Sequence, residues 1–205
     1  MSGAAEDSPK ARILAAASEQ LSKFGLRKFA VIDVAETANM THPNIYRYFT
    51  SKTALIDALI TLWLKPLEER IEMVVSASDP VGDKLERMIV AVSQAYRSAK
   101  EDEPHLFAAF VAATAESRAV SRKHRARLRR AFDRVLDEGI GAGVIGIKDR
   151  PKAQMLLLDA VWRFIDPASI LVEQDLAKSL DGRLERVIEA VFLMLLRRQI
   201  IQENM

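Results

Sequence analysis

Few stretches narrow the choice of fold as much as VIDVAETANMTHPNIYRYFTSK, running from Val31 to Lys52. Val31, Val34, Ala35 and Ala38 recur at i, i+3, i+4 and i+7, the spacing of one apolar helix face. Asn39 follows that face, and Asn is one of the few non-glycine residues that accept a left-handed helix C-cap. Two residues on, Thr41 is a good N-cap, and Pro43 falls in the first turn of the next helix, where its missing N–H costs little. Ile45 and Phe49 are four apart and turn inward. That leaves His42, Asn44, Arg47 and part of Tyr46 and Tyr48 facing outward, with no acidic residue from Met40 to Lys52. The pattern predicts a short helix, a tight turn and a second short helix with a polar, aromatic and basic outer face. Those are the groups that reach base edges and phosphates from a helix in the major groove.

At this point the stretch resembles the DNA-binding domain of TetR-type (TetR/AcrR) transcriptional regulators. The matching residues are the D-x-A of Asp33 to Ala35, the I-Y-x-Y-F of Ile45 to Phe49, and Ser51-Lys52, with Gly25 upstream. They cover the first quarter of the chain; the rest matches the family in helical layout and length. By position in the motif, His42, Pro43, Tyr46 and Arg47 look like base-edge readers, Arg47 as a bidentate partner of guanine. Asn44, Tyr48 and Lys52 look like phosphate contacts, with Thr41 beside them at the helix start. The chain departs from the family at Phe29 and Ala30, where a Ser or Thr usually caps helix two, and at Ile32, normally an exposed polar position.

Wider features fit an all-α protein. No stretch alternates apolar and polar residues long enough for a half-buried strand. The 205 residues, 49% hydrophobic and 28% charged, suit one or two globular domains. Zero cysteines exclude disulfides and thiolate metal sites and fit a reducing cytoplasm, where this protein is expected. No charge-free apolar run approaches membrane-spanning length, and MSGAAEDSPK is unlike a signal peptide. Residues 1–55 carry seven Lys/Arg against five Asp/Glu, so the net +2 of the chain lies there and the remainder is balanced.

The expected architecture is nine helices: an N-terminal three-helix helix-turn-helix domain, residues 1–50, and a C-terminal effector-binding and dimerisation domain, residues 51–205. Residues 1–8 read as a flexible tail. Helix one runs from about Pro9 to Lys23, ended by Gly25. Helix four runs from Ser51 to about Val75, about 35 Å long and kinked at Pro66. Helix five spans about Pro80 to Ala99; Asp102, Glu103 and Pro104 open helix six; helix seven spans about Val120 to Glu138. After the loop GIGAGVIG, Asp149 and Pro151 open helix eight, which Asp166-Pro167 breaks. A polar stretch to Asp181 leads into helix nine, about Gly182 to Ile201. Helices eight and nine, with MLLLDAVWRFI and VIEAVFLMLL, are apolar nearly all round, which predicts a second covering from a symmetry mate in a homodimeric four-helix bundle.

Other patterns have plainer readings. Arg118 to Arg134 holds seven Arg and one Lys against the single acid Asp133, and is best read as a solvated helix face rather than a nucleic-acid patch. The glycines at 139, 141, 143 and 146 follow a helix, not a strand, and make a loop rather than a dinucleotide fingerprint. His105 and His124, with Asp102, Glu103 or Glu116, lack metal-ligand spacing on one helix, so no metal or cofactor is expected. No nucleophile motif or acid–base set is visible, so no enzyme is expected. The resemblance implies a ligand cavity among helices five to eight, closed by helix four. Gln94, Tyr96, His105, Trp162 and Arg163 supply bulk with a polar handle there, and Met88, Phe107, Phe110 and Met155 an apolar lining, for an apolar or aromatic effector. The chain thus reads as a ligand-responsive DNA-binding regulator, most readily a repressor of a palindromic operator with half-sites about 34–36 Å apart or slightly more. Effector binding would shift helix four and change the spacing of the two recognition helices. The alternatives are a helical adaptor that has lost DNA binding and, less consistent with the residues, a helical enzyme.

Overall fold

The computed structural model describes residues 8–173 and 177–196. The expected tail lies outside these residues except for Ser8, as do residues 174–176 of the polar stretch and the expected end of the last helix near Ile201. The named elements among the described residues are all helices. The chain divides into two compact units, residues 1–66 with 98–124, and residues 67–97 with 125–205.

In the first unit, α1 (Pro9–Lys28) starts on Ser8, whose Oγ accepts the N–H of Ala11 at 3.1 Å, with proline just inside the helix start. Ile13, Ala17 and Leu21 form its buried stripe. Gly25 breaks the helix as expected, at φ 67 and ψ 174, but one more turn follows to Lys28. A Cβ on Gly25 would lie 2.9 Å from Nδ1 of His105, so this glycine admits both a left-handed backbone and a neighbouring ring. Packing continues through α2 (Val31–Thr37) on α1 and α3 (His42–Tyr48) on α2. α4 (Lys52–Ser76) starts where Ser51 Oγ accepts the N–H of Ala54 at 3.0 Å, and it carries Pro66 in its interior. α6 (Pro104–Ala115) packs on α1. That contact between distant segments is why residues 98–124 join the first unit.

Three helices contribute residues to both units: α4, α5 (Val81–Asp102) and α7 (Ala119–Gly141). The second unit's core takes Leu85, Met88, Ile89 and Val92 from α5 and Phe132, Val135 and Leu136 from α7. Lys84, 3% exposed, is neutralised by Glu138, with Nζ 2.9 and 2.8 Å from the two carboxylate oxygens. α8 (Arg150–Ile165) is capped by Asp149, whose Oδ1 accepts the N–H of Lys152 at 3.2 Å. Asp166 ends α8, and its carboxylate then caps a short further helix, α9 (Pro167–Val172), by accepting the N–H of Ser169 at 2.8 Å. Among the described residues the nine expected helices therefore stand among ten. The last among the described residues, α10 (Ala177–Leu195), starts before Gly182 rather than at it, so that glycine lies inside the helix. Beyond it Leu196 pairs with Ile145 in an isolated antiparallel bridge, and Gly146 donates its N–H to the Leu195 carbonyl at 2.8 Å.

Candidate DNA-binding site

The turn between α2 and α3 is built by local chemistry. α2 begins at Ala30 without a side-chain cap, as the missing Ser or Thr implies. It ends with Asn39 at φ 53, while Asn39 and Met40 donate to the Glu36 and Ala35 carbonyls at 3.0 and 2.8 Å. Thr41 occupies the N-cap position of α3 in an extended conformation, but its hydroxyl makes no capping bond; its carbonyl accepts Asn44 N–H at 2.9 Å. Ile45 and Phe49 are 1% and 6% exposed and pin the helix to the core. With those two inward, Thr41, His42, Pro43, Tyr46, Arg47 and Tyr48 are exposed and Asn44 is half-buried. His42 and Tyr46 meet edge to face with ring centroids 5.0 Å apart, one helical turn apart on the outer surface.

Lys52 is placed differently from the other seven. It is half-buried, and Nζ donates to the Phe29 carbonyl and, at 3.4 Å, to the Leu26 carbonyl, with the ammonium 5.5 Å from the Phe29 ring centroid. It clips the start of α4 to the end of α1. Lys10, which the sequence did not single out, holds its ammonium 5.8 Å from the centroid of the Phe49 ring. Neither contact had a local signal, because each joins residues far apart in the chain.

The residues proposed for an effector pocket scatter. Met88, Tyr96, Phe107 and Phe110 are buried. Burial pushes the Tyr96 hydroxyl well above its ordinary value; the Glu68 and Asp166 carboxylates add to this and Arg125 opposes it. Gln94 and His105 are exposed. The inward stripe of α8 is Ala153, Leu157, Val161 and Phe164, which turns Met155, Trp162 and Arg163 outward. Arg163 pairs with Glu173, Nη2 to Oε2 2.7 Å. Each unit also carries an open groove within itself: one of about 650 Å³ against Leu14, Leu59, Trp63 and Leu106, the other of about 430 Å³ against Met73, Val74 and Val90.

The basic stretch of α7 is exposed over most of its length. Arg127 pairs with Glu68 at 2.6 Å and Arg134 with Glu72 at 2.5 Å. Among the glycines, Gly139 is forced by packing: a Cβ there would lie 2.7 Å from Ile145 Cδ1 and 2.8 Å from Val81 Cγ1. His105 lies against Gly25, and His124 is buried edge-on to Phe110 at 5.7 Å. Among the described residues no group of three or more His, Asp, Glu or Cys stands close enough to hold a metal ion. No helix among them is long and apolar enough to cross a membrane.

Comparison with known families decides between the possible readings of this geometry. Residues 13–59 match the model for bacterial regulatory proteins of the tetR family. Residues 82–188, over half the chain, match the model for a tetracyclin repressor-like C-terminal domain. The chain belongs to the TetR family. Its helix-turn-helix is therefore that of a family of bacterial regulators, as the motif at Ile45 to Phe49 implied.

Among curated proteins, the chain is 29% identical over 83 residues to the uncharacterized HTH-type transcriptional regulator YhgD of Bacillus subtilis. That match covers 40% of this TetR-family chain and 44% of YhgD, so it spans less than half the relative's length. A TetR/AcrR-family regulator from Thermobifida fusca has a similar fold, with a TM-score of 0.66 at 22% identity over 89% of this chain and 96% of that one. The regulator FadR of Bacillus subtilis, solved in complex with stearoyl-CoA, gives a TM-score of 0.61 at 20% identity over 89% and 97%. At such identities these two likenesses concern the fold alone.

Proposed function

We propose that this TetR-family protein binds a palindromic operator as a homodimer, represses the genes it controls, and is released by an apolar or aromatic small molecule. The observation that carries the reading is the outer face of α3. His42, Pro43, Tyr46 and Arg47 stand exposed on a helix anchored by Ile45 and Phe49, with no acid beside them. Arg47 reads a guanine edge, and Asn44, Tyr48 and the exposed Thr41 meet phosphates. Lys52 contributes a positive charge near the backbone while serving as a clip.

Dimerisation is supported by a bare apolar surface. Met155 and Trp162, seven residues apart on α8, are 60% and 53% exposed; Leu193 and Met194 on α10 are 66% and 56% exposed. α8 packs on α10, so a twofold copy presenting the same pair would complete a four-helix bundle. An apolar effector is supported by the likeness in fold to FadR of Bacillus subtilis, which was solved in complex with stearoyl-CoA. Release of DNA needs a coupling of only about 1–3 kcal/mol between effector and operator.

The test is a salt-graded shift assay on the DNA upstream of the chain's own coding region. Arg47→Ala is expected to relax sequence preference, costing about 1–3 kcal/mol on the preferred site. Lys52→Ala is expected to weaken all duplexes alike and lower the salt slope by about one. Indifference of the wild-type chain to every duplex at low salt would leave the adaptor reading in its place.

A further inference from the structure

Asp57 stands in the second turn of α4, with its side chain 25% exposed, and Arg118 Nη1 lies 3.2 Å from its Oδ1. The approach is off line: Oδ1 accepts no hydrogen bond, and Arg118 Nε donates none. Arg118 Nη2 donates to the Ala109 carbonyl on α6 at 3.2 Å, and Nε is 3.6 Å from Glu116 Oε2. A strained turn delivers this arginine. Ser117, between α6 and α7, has φ 51, a conformation that costs a non-glycine residue free energy. The turn is braced by Ser121 Oγ, buried and donating to the Ala113 carbonyl at 2.9 Å.

Burial raises the Asp57 carboxyl above its ordinary value; the Arg118 guanidinium pulls it back, and Glu116 adds to the rise. The folded state therefore holds the Asp57 proton more tightly than the unfolded chain does. The stability this contributes is present at low pH and is lost as pH rises through the raised value, so at neutral pH the ionised side chain costs the fold. A strained turn that sets an arginine 3.2 Å from a carboxylate made costly by burial points to a functional constraint.

We propose that the Asp57–Arg118 pair is a latch that fixes α4 against the α6–α7 turn and so presets the recognition helix for DNA. The pair rests on the DNA-binding reading above. α4 starts directly after α3, and Lys52 clips that junction to α1, so holding the second turn of α4 holds the whole helix-turn-helix. A recognition helix ordered in advance loses less conformational freedom on binding. Asp57 and Arg118 are positioning residues that act through α4.

The experiment uses the full chain with Asp57→Asn, which keeps the shape and removes the charge, with Arg118→Gln, with both, and with Arg118→Lys. Operator affinity is read by fluorescence anisotropy on a labelled palindromic duplex from the upstream region, well below the unfolding midpoint, and thermal midpoints are read alongside. Each neutral variant is expected to raise Kd about three- to tenfold. The double variant should be no worse than the worse single, Arg118→Lys should retain more affinity than Arg118→Gln, and Asp57→Asn should melt no lower than wild type. Unchanged or tighter binding by Asp57→Asn overturns the latch, as does a loss matched by a lower midpoint, which marks a merely structural pair. If wild type binds no duplex, both the latch and the DNA reading fall; if only the variants behave otherwise, the latch falls alone.

Discussion

At Gly25 two demands meet at the position a Cβ would occupy. The backbone sits at φ 67, and the ring of His105 lies 2.9 Å from where that carbon would be. Gly25→Ala is therefore expected to lower stability by about 1–3 kcal/mol in urea unfolding. Adding His105→Ala should recover part of the loss and not the whole, because the backbone strain stays. Lys52 carries a comparable double duty. Its ammonium satisfies carbonyls of Leu26 and Phe29 at the end of α1, so Lys52→Ala should also melt earlier than wild type, by about 1 kcal/mol of lost hydrogen bonding. Arg47, exposed and without a bond to the core, should leave the melting temperature unchanged, and a scan of both variants separates the two roles.

At the scale of the element, α2 starts uncapped, because Ala30 offers no side-chain acceptor to the free N–H groups. Its backbone, φ −124 and ψ 136, is already that of an N-cap, so Ala30→Ser is expected to stabilise the fold by about 0.5–1 kcal/mol. A rise of about 1–4 °C in the calorimetric midpoint checks it. Helix ends of this kind were readable in advance. Asn39, Ser51, Asp149 and Asp166 act on atoms within three or four residues, so the bare sequence contains both partners. What escaped a local reading were partners brought together by the fold. His105 against Gly25, Lys10 over Phe49 and Arg118 facing Asp57 join segments with no shared pattern. The short α9 escaped because Asp166-Pro167, correctly read as a stop, is also a good start. Trp162, with bulk and a polar handle, and Met155, as an apolar lining residue, both suit a pocket by residue type, yet they lie opposite the inward stripe of α8.

For the whole molecule, the proposed dimer is the property with the sharpest consequence. Trp162→Glu with Leu193→Glu places two charges on the bare apolar surface without touching the inward stripes of α8 and α10. Sedimentation velocity should then show a monomer, and operator affinity should fall by at least about a hundredfold, since one half-site contact is lost together with its effective concentration. A dimer that persists would place the interface elsewhere.

The bridge between Ile145 and Leu196 reaches further than its two residues. Ile145 covers Gly139 beside the buried Val81, and its segment is tied to the end of α10 by the strand-like pairing with Leu196 and the bond from Gly146 to Leu195. The end of α10 thus helps keep Ile145 over Gly139. A shortened version of the protein that ends before Leu195 would lose that tie and the cover Leu196 gives Gly82, and so loosen packing far upstream of the cut.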